Sequence, residues 1–134
     1  MEIPKDLLKG FSGKEGAKEK TLEAVEKSFR LSLPYDYKEF IAQFNGGEGF
    51  FGEKQEYLVL WAAEELFQFN KEYEVQVYAP GLLLFGGNGG GEGFAFDTRK
   101  KEFSIVMVPL IGMELQYANP IAKNFTEFLS KLGQ

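Results

Sequence analysis

The sequence predicts an α+β domain in which a central, mostly antiparallel sheet packs against helices from both ends of the chain. Two patterns point there: apolar residues recur at helical spacing over residues 17–44 and again over 121–132, and the stretch between is made of short apolar runs broken by glycine and charge. Composition is the third observation. Of 134 residues, 44% are hydrophobic and 16% aromatic, fourteen of them Phe, which supplies one sizeable core in a chain too short for two. A single domain over residues 1–134 is expected, with residues 1–16 a loosely docked arm, because its few apolar residues (Leu7, Leu8, Phe11) are interspersed with Gly10, Gly13 and Gly16.

From Ala17 to Arg30, Leu22, Val25 and Phe29 form the apolar stripe of an amphipathic helix, with Glu19, Lys20, Glu23, Glu26 and Lys27 on its other faces. Pro34 suits the first turn of a second helix, where no backbone N–H is needed. Tyr37, Phe40, Ile41 and Phe44 then fall at i, i+3, i+4 and i+7, and Asn45-Gly46-Gly47 is expected to close that helix through a left-handed glycine. After a loop rich in Gly, Glu and Phe, Tyr57 to Trp61 is a β-type run. Leu66, Phe69 and Tyr73 mark a third helix over Ala62 to Tyr73.

Short strands follow at Val75 to Tyr78, Leu82 to Phe85, Phe94 to Asp97 and Phe103 to Pro109, the last two joined by a hairpin through Thr98-Arg99-Lys100-Lys101. Asn119-Pro120 reads as the start of a closing helix, Asn as N-cap and Pro in the first turn, whose apolar face is Ile121, Phe125, Phe128 and Leu132. Helices at both ends of a strand-rich middle are expected to cover one face of the sheet.

The chain contains no Cys and no His. That removes disulfides, thiol nucleophiles, Cys/His zinc sites and imidazole general bases, leaving only a carboxylate metal site or a Glu/Asp acid–base pair as routes to catalysis. The first residues lack the charged, apolar and small-residue regions of a signal peptide, and no apolar run approaches the roughly 18 residues of a membrane span, so a cytoplasmic location without membrane contact is expected.

Net charge is −5, but residues 46–97 alone hold nine acidic and two basic groups. That middle disfavours direct nucleic-acid contact and favours a basic partner. The single cationic run, Arg99-Lys100-Lys101, reads as a solvated turn rather than a nucleic-acid patch.

The segment Gly86-Gly87-Asn88-Gly89-Gly90-Gly91-Glu92-Gly93 invites a phosphate-cradle reading, because glycine backbones can converge their N–H groups on an anion. It lacks both the dinucleotide-binding spacing and a Gly-Lys-Ser/Thr ending, and it leads into a strand, so it is expected to be a structural connection. Carboxylates near Trp61 (Glu64, Glu65) or flanking a strand (Glu92, Asp97) have no second cluster to make an acid–base pair. Solvated charge is their default. Trp61, Phe50-Phe51 and Phe67 to Phe69 read first as core packing, with interface anchors as the alternative.

Three separated segments carry a family resemblance. Leu33-Pro34-Tyr35-Asp36-Tyr37-Lys38-Glu39-Phe40 with Asn45-Gly46-Gly47, then Gly89-Gly90-Gly91-Glu92-Gly93-Phe94-Ala95-Phe96-Asp97, then Ile121 to Leu129 together resemble, in order and spacing, the signature of the SUKH superfamily of fungal cell-wall-synthesis regulators and bacterial immunity proteins. The resemblance implies helices packed around a mostly antiparallel sheet. It also implies a non-enzymatic protein without cofactor that neutralises a cognate toxin, often a nuclease, by binding it, or, as the alternative, a regulatory interaction module with a non-toxin partner.

The glycines matching that pattern, Gly46, Gly47, Gly89, Gly90 and Gly91, are assigned to backbone geometry. For the contact surface the reading is acidic and aromatic: Glu48, Glu53, Glu56, Trp61, Glu64, Glu65 and Glu72, with Glu92 nearby, on a monomer or weak homodimer.

Overall fold

The computed structural model describes residues 11–52 and 54–132. The elements run β1 (Phe11–Glu15), α1 (Glu19–Phe29), α2 (Tyr35–Gln43), β2 (Phe44–Phe51), β3 (Glu56–Leu60), a 3-10 turn (Ala63–Glu65), α3 (Leu66–Glu72), α4 (Val75–Tyr78), β4 (Leu82–Gly87), β5 (Glu92–Asp97), β6 (Ser104–Pro109), a second 3-10 turn (Leu115–Tyr117), β7 (Asn119–Ala122) and α5 (Phe125–Leu132). The seven strands of the described residues form one antiparallel sheet whose spatial order is the chain order, a meander throughout.

Strand alternation sorts the core into two layers. Leu58, Leu60, Leu83, Phe85, Phe94, Phe96 and Ile105 point to one side, where they meet Leu22 and Val25 of α1, Tyr37, Phe40 and Ile41 of α2, and Phe125, Phe128 and Leu129 of α5. Leu82, Leu84, Ala95, Val106 and Val108 point to the other, under Val75 of α4, Ala79 just after it and Met113 of the β6–β7 connection. The expectation that helices cover one face is therefore corrected: both faces of the β4–β6 half are sealed, and every residue of β4 is buried. Over β1–β3 the second face has no such cover among the described residues, and Glu48 and Phe50 are exposed there.

Other boundaries differ from expectation for identifiable reasons. Residues 11–15, expected within a loose arm, are an edge strand paired with β2; residues 1–10 lie outside the described residues. Helix α2 does not end in a left-handed glycine. Its C-cap, Phe44, is extended (φ −136°, ψ 102°), and the chain runs straight into β2. Gly46 and Gly47 sit inside that strand with φ of 85° and 146°. A Cβ on Gly46 would lie 2.7 Å from the backbone of Leu60 and Ala62, and one on Gly47 would strike the Ser12 carbonyl, so these glycines let three backbones crowd together.

Val75–Tyr78 is a helical turn rather than a strand; it follows Glu74 in the left-handed region (φ 51°) and buries Val75 against the second layer. Asn119-Pro120 opens β7, not a helix. There proline's missing N–H is tolerated at the sheet's edge, and Lys131 Nζ donates to the Ile121 carbonyl. Helix α5 starts later, with Asn124 Oδ1 accepting from the Glu127 N–H at 2.8 Å as an N-cap does. Asp36, in the first turn of α2, ties the two helices: its Oδ2 accepts from both the N–H and the hydroxyl of Thr126, each at 2.9 Å.

Candidate protein-binding surface

The glycine-rich hairpin between β4 and β5 closes on itself. Asn88 Oδ1 accepts from the N–H groups of Gly90 (2.8 Å) and Glu92 (3.2 Å), and the Asn88 N–H donates to the Glu92 carbonyl (3.0 Å). Donors that would cradle a phosphate are turned onto a side chain of the loop, and the hairpin is a connection, with Gly89 against the ring of Tyr57. Among the described residues no group of three or more Asp or Glu is placed to hold a metal ion. No described helix is long and apolar enough to cross a membrane.

The acidic residues of the sequence reading are distributed over several sides. Glu48 is exposed on β2 opposite Val59, and its carboxylate accepts from the Tyr57 hydroxyl; that bond raises the phenol above its ordinary pKa. Trp61, half-buried just past β3, stacks on Phe69 (centroids 4.5 Å apart) and lies parallel to Tyr73 (6.1 Å, 8° between planes). Its indole N–H has no acceptor among the described residues. Glu65, Phe69 and Glu72 fall at i, i+4 and i+7, one stripe beside that stack. Glu65 Oε1 also accepts from the Ala62 N–H (3.0 Å), and Glu72 accepts from Gln68 (3.0 Å).

The remaining members lie apart from this group. Glu64 borders a groove with Lys20, Val25 and Phe67 on the α1 side, where the buried Asn45 donates to both its oxygens (2.8 and 3.1 Å). Glu56 pairs with the buried Phe51 on the helix-covered side and borders an open cleft of about 450 Å³ with Phe94, Met107, Phe128 and Lys131. Glu92, two residues before Phe94, faces that same side and is bonded by Asn88 Nδ2 (3.2 Å). Glu53 lies outside the described residues.

Sequence reasoning missed Asn45, which carries Glu64 on its amide and accepts from the Ala63 N–H at 2.7 Å; a polar residue next to the buried Gly46-Gly47 step was the available signal. It also left Phe50-Phe51 undivided. Strand alternation separates them, Phe51 fully buried and Phe50 51% exposed. A larger open cleft, about 670 Å³, lies between α1, α3, α4 and β4, but its floor amides Asn70 and Gln76 bond to the β4 backbone and are not available to a ligand.

Together the meander sheet and its two core layers define a small α+β domain. The chain belongs to the SMI1/KNR4 family (SUKH-1), whose model matches residues 16–131. It is also similar to a Bacillus subtilis (strain 168) protein described as "Uncharacterized protein YnaB", with 30% identity over 92 residues, covering 69% of this chain and 58% of that protein. The matched region thus spans little more than half of that relative.

Proposed function

We propose that this protein is a non-enzymatic immunity protein that binds and neutralises a cognate bacterial toxin in the cytoplasm, one-to-one, through acidic surface around Trp61. Family membership supports the immunity reading. The observation that carries the surface is the stack of Trp61 on Phe69 and Tyr73, half-exposed and flanked by Glu65 and Glu72, with Glu48 on the neighbouring sheet face. Aromatic anchors of this kind dominate interface energetics, and carboxylates around them steer a basic partner such as a nuclease domain toward the site.

The test uses the product of a toxin-like reading frame adjacent to this gene. Co-expression should rescue growth, and calorimetry should give a complex whose affinity falls with salt. The double variant Glu48→Lys/Glu72→Lys should lose that salt dependence and weaken binding, since both carboxylates are exposed and leave the core untouched. Unchanged rescue and affinity would reject the surface. A neighbouring product that is neither toxic nor bound would reject the immunity reading.

A further inference from the structure

Beyond β6 the chain reverses through Leu110-Ile111-Gly112-Met113, with Gly112 at φ 73°, in the left-handed region that suits glycine. Both ends of the reversal are clamped. The Leu110 N–H donates to the Gly91 carbonyl at 2.9 Å, and Met113 is buried in the second core layer. Ile111, between them, is held out with 92% of its surface exposed. Across from this turn, Val75 and Ala79 are buried over the sheet while Tyr78 is left 53% exposed.

Between the two lies an open pocket of about 450 Å³, lined by Tyr73, Tyr78, Leu110, Gly112, Met113 and Glu114. Tyr73 and Leu110 are half-buried, and Tyr78, Gly112 and Glu114 are exposed, so its walls can be reached from solvent. Tyr73 also joins the pocket to the aromatic stack, because its ring lies parallel to the Trp61 indole. Apolar exposure gathered around one concavity differs from single surface hydrophobes, which need no explanation. Charge selects the occupant. Glu114 is the one carboxylate of the lining, its Oε2 accepts from the neutral Gln116 amide at 3.0 Å, and no cation pairs with it among the described residues. On α3, Glu65 and Glu72 lie on the Phe69 and Tyr73 side, whereas Lys71 lines the cleft on the far side with Phe67.

We propose that this pocket receives one arginine or lysine side chain of a basic protein partner, with Ile111 packing on the segment that carries it and the Trp61 stack continuing the contact. Such a side chain is apolar along its stem and cationic at its head. The stem lies against Leu110 and Met113, and the head meets the tyrosine rings and the Glu114 carboxylate together. A turn clamped at both ends has little freedom to lose on binding. That the partner is a toxin rests on the function proposed above; the pocket and its preference for a cationic side chain do not.

The probe is a synthetic peptide, acetyl-Gly-Arg-Leu-Arg-Gly-amide, titrated into the 15N- and methyl-13C-labelled full chain, beside twins in which citrulline or Glu replaces both arginines. Citrulline keeps the shape of arginine and removes its charge. The Arg peptide should give saturable shifts centred on Tyr73, Tyr78 and Ile111 to Glu114 and bind roughly three- to tenfold more tightly than the citrulline twin, with no binding of the Glu twin. Glu114→Gln, an exposed change of nearly equal shape, should keep the folded spectrum and abolish the preference for Arg over citrulline. Tyr78→Ser, also exposed, should weaken the Arg peptide by about threefold or more. Shifts centred elsewhere, no saturable shifts, or equal binding of the Arg and citrulline peptides overturn the proposal. A toxin complex that the peptide does not displace, and that Glu114→Gln/Tyr78→Ser leaves at full affinity, also overturns it while the immunity reading stands. Peptide docking in the pocket with no toxin bound rejects the immunity reading while the pocket stands.

Discussion

The side-chain amide of Asn70 pairs with the backbone of Leu84 as a neighbouring strand would. Its Nδ2 donates to the Leu84 carbonyl and its Oδ1 accepts from the Leu84 N–H, both at 2.9 Å. Strand β3 pairs with β4 through Val59–Gly87 and Leu60–Gly86, the Trp61 N–H adds a bond to the Phe85 carbonyl at 3.0 Å, and the chain then departs, which would leave the β4 edge beyond Phe85 unbonded in the interior. Gln76 repeats the device one step along, donating to the Leu82 carbonyl at 2.8 Å and accepting from the Gly81 N–H at 3.1 Å. Asn70→Ala orphans two buried backbone groups and should destabilise the domain by about 2–4 kcal/mol. Urea unfolding should show a lower midpoint at unchanged slope. A wild-type midpoint would mean that water or β3 takes the place of the amide.

Tyr37 presents the opposite situation. Its ring packs at 5.0 Å from both Phe96 and Phe125 and 5.8 Å from Phe85, but its buried hydroxyl has no hydrogen-bond partner among the described residues, and burial pushes the phenol pKa far up. Tyr37→Phe removes an unsatisfied polar atom and keeps every ring contact. Its thermal midpoint should equal the parent's or rise, by up to about 1 kcal/mol in stability. A clear loss would reveal a partner for the hydroxyl.

Two glycines of the β4–β5 hairpin should behave very differently. A Cβ on Gly86 would run into the Val59 carbonyl across the β3–β4 seam, whereas one on Gly90 meets nothing nearer than Asn88 Oδ1 at 3.5 Å. Gly86→Ala should cost about 1–3 kcal/mol through overpacking. Gly90→Ala should stay within about 0.5 kcal/mol of the parent. Equal effects in denaturant titrations would remove the steric explanation.

Acid sensitivity should trace partly to Asp97. Arg99 grips its carboxylate in two-pronged fashion, Nε to Oδ1 and Nη2 to Oδ2 at 2.9 Å each, and adds its backbone N–H at 3.1 Å. These bonds to Arg99 hold the Asp97 pKa below its ordinary value, against the smaller opposing effect of burial. A carboxylate with a lowered folded pKa contributes stability above its unfolded value, about 3.9, and loses it as pH falls through the folded one. Asp97→Asn should therefore be less stable than the parent at neutral pH, with the gap closing as pH drops below about 4. A gap constant with pH would show that the pair acts through shape alone.

The helices that bury a regular stripe were legible in the sequence. Leu22 and Val25 of α1, Phe40 and Ile41 of α2, and Phe125 and Phe128 of α5 lie where periodicity put them, and β3 to β6 follow their apolar runs. Strand β2 was illegible because Asn45 to Gly49 contains no strand-forming residue; it pairs because glycine lets Ser12 and Leu60 approach, a property of its neighbours. Val75–Tyr78 is rich in β-formers, yet burial of Val75 and Ala79 over β4 and β6 decides for a helical turn. For the surface, residue types were readable and faces were not. Glu48 and Glu56 belong to adjoining strands but emerge on opposite sides of the sheet, because the side is fixed by register rather than by distance along the chain.

The meander order has a bearing on how the chain assembles as it is made. Each strand hydrogen-bonds to the one synthesised just before it, so the sheet can be extended strand by strand from β1 as the chain emerges, without waiting for a distant segment. The aromatic layer has no such liberty. Tyr37 and Asp36 meet Phe125 and Thr126 some ninety residues later, so in a nascent chain α1 and α2 can settle on the strands while the part of Tyr37 that meets Phe125 stays uncovered until α5 arrives. Helix α5 is the clasp that completes the aromatic layer.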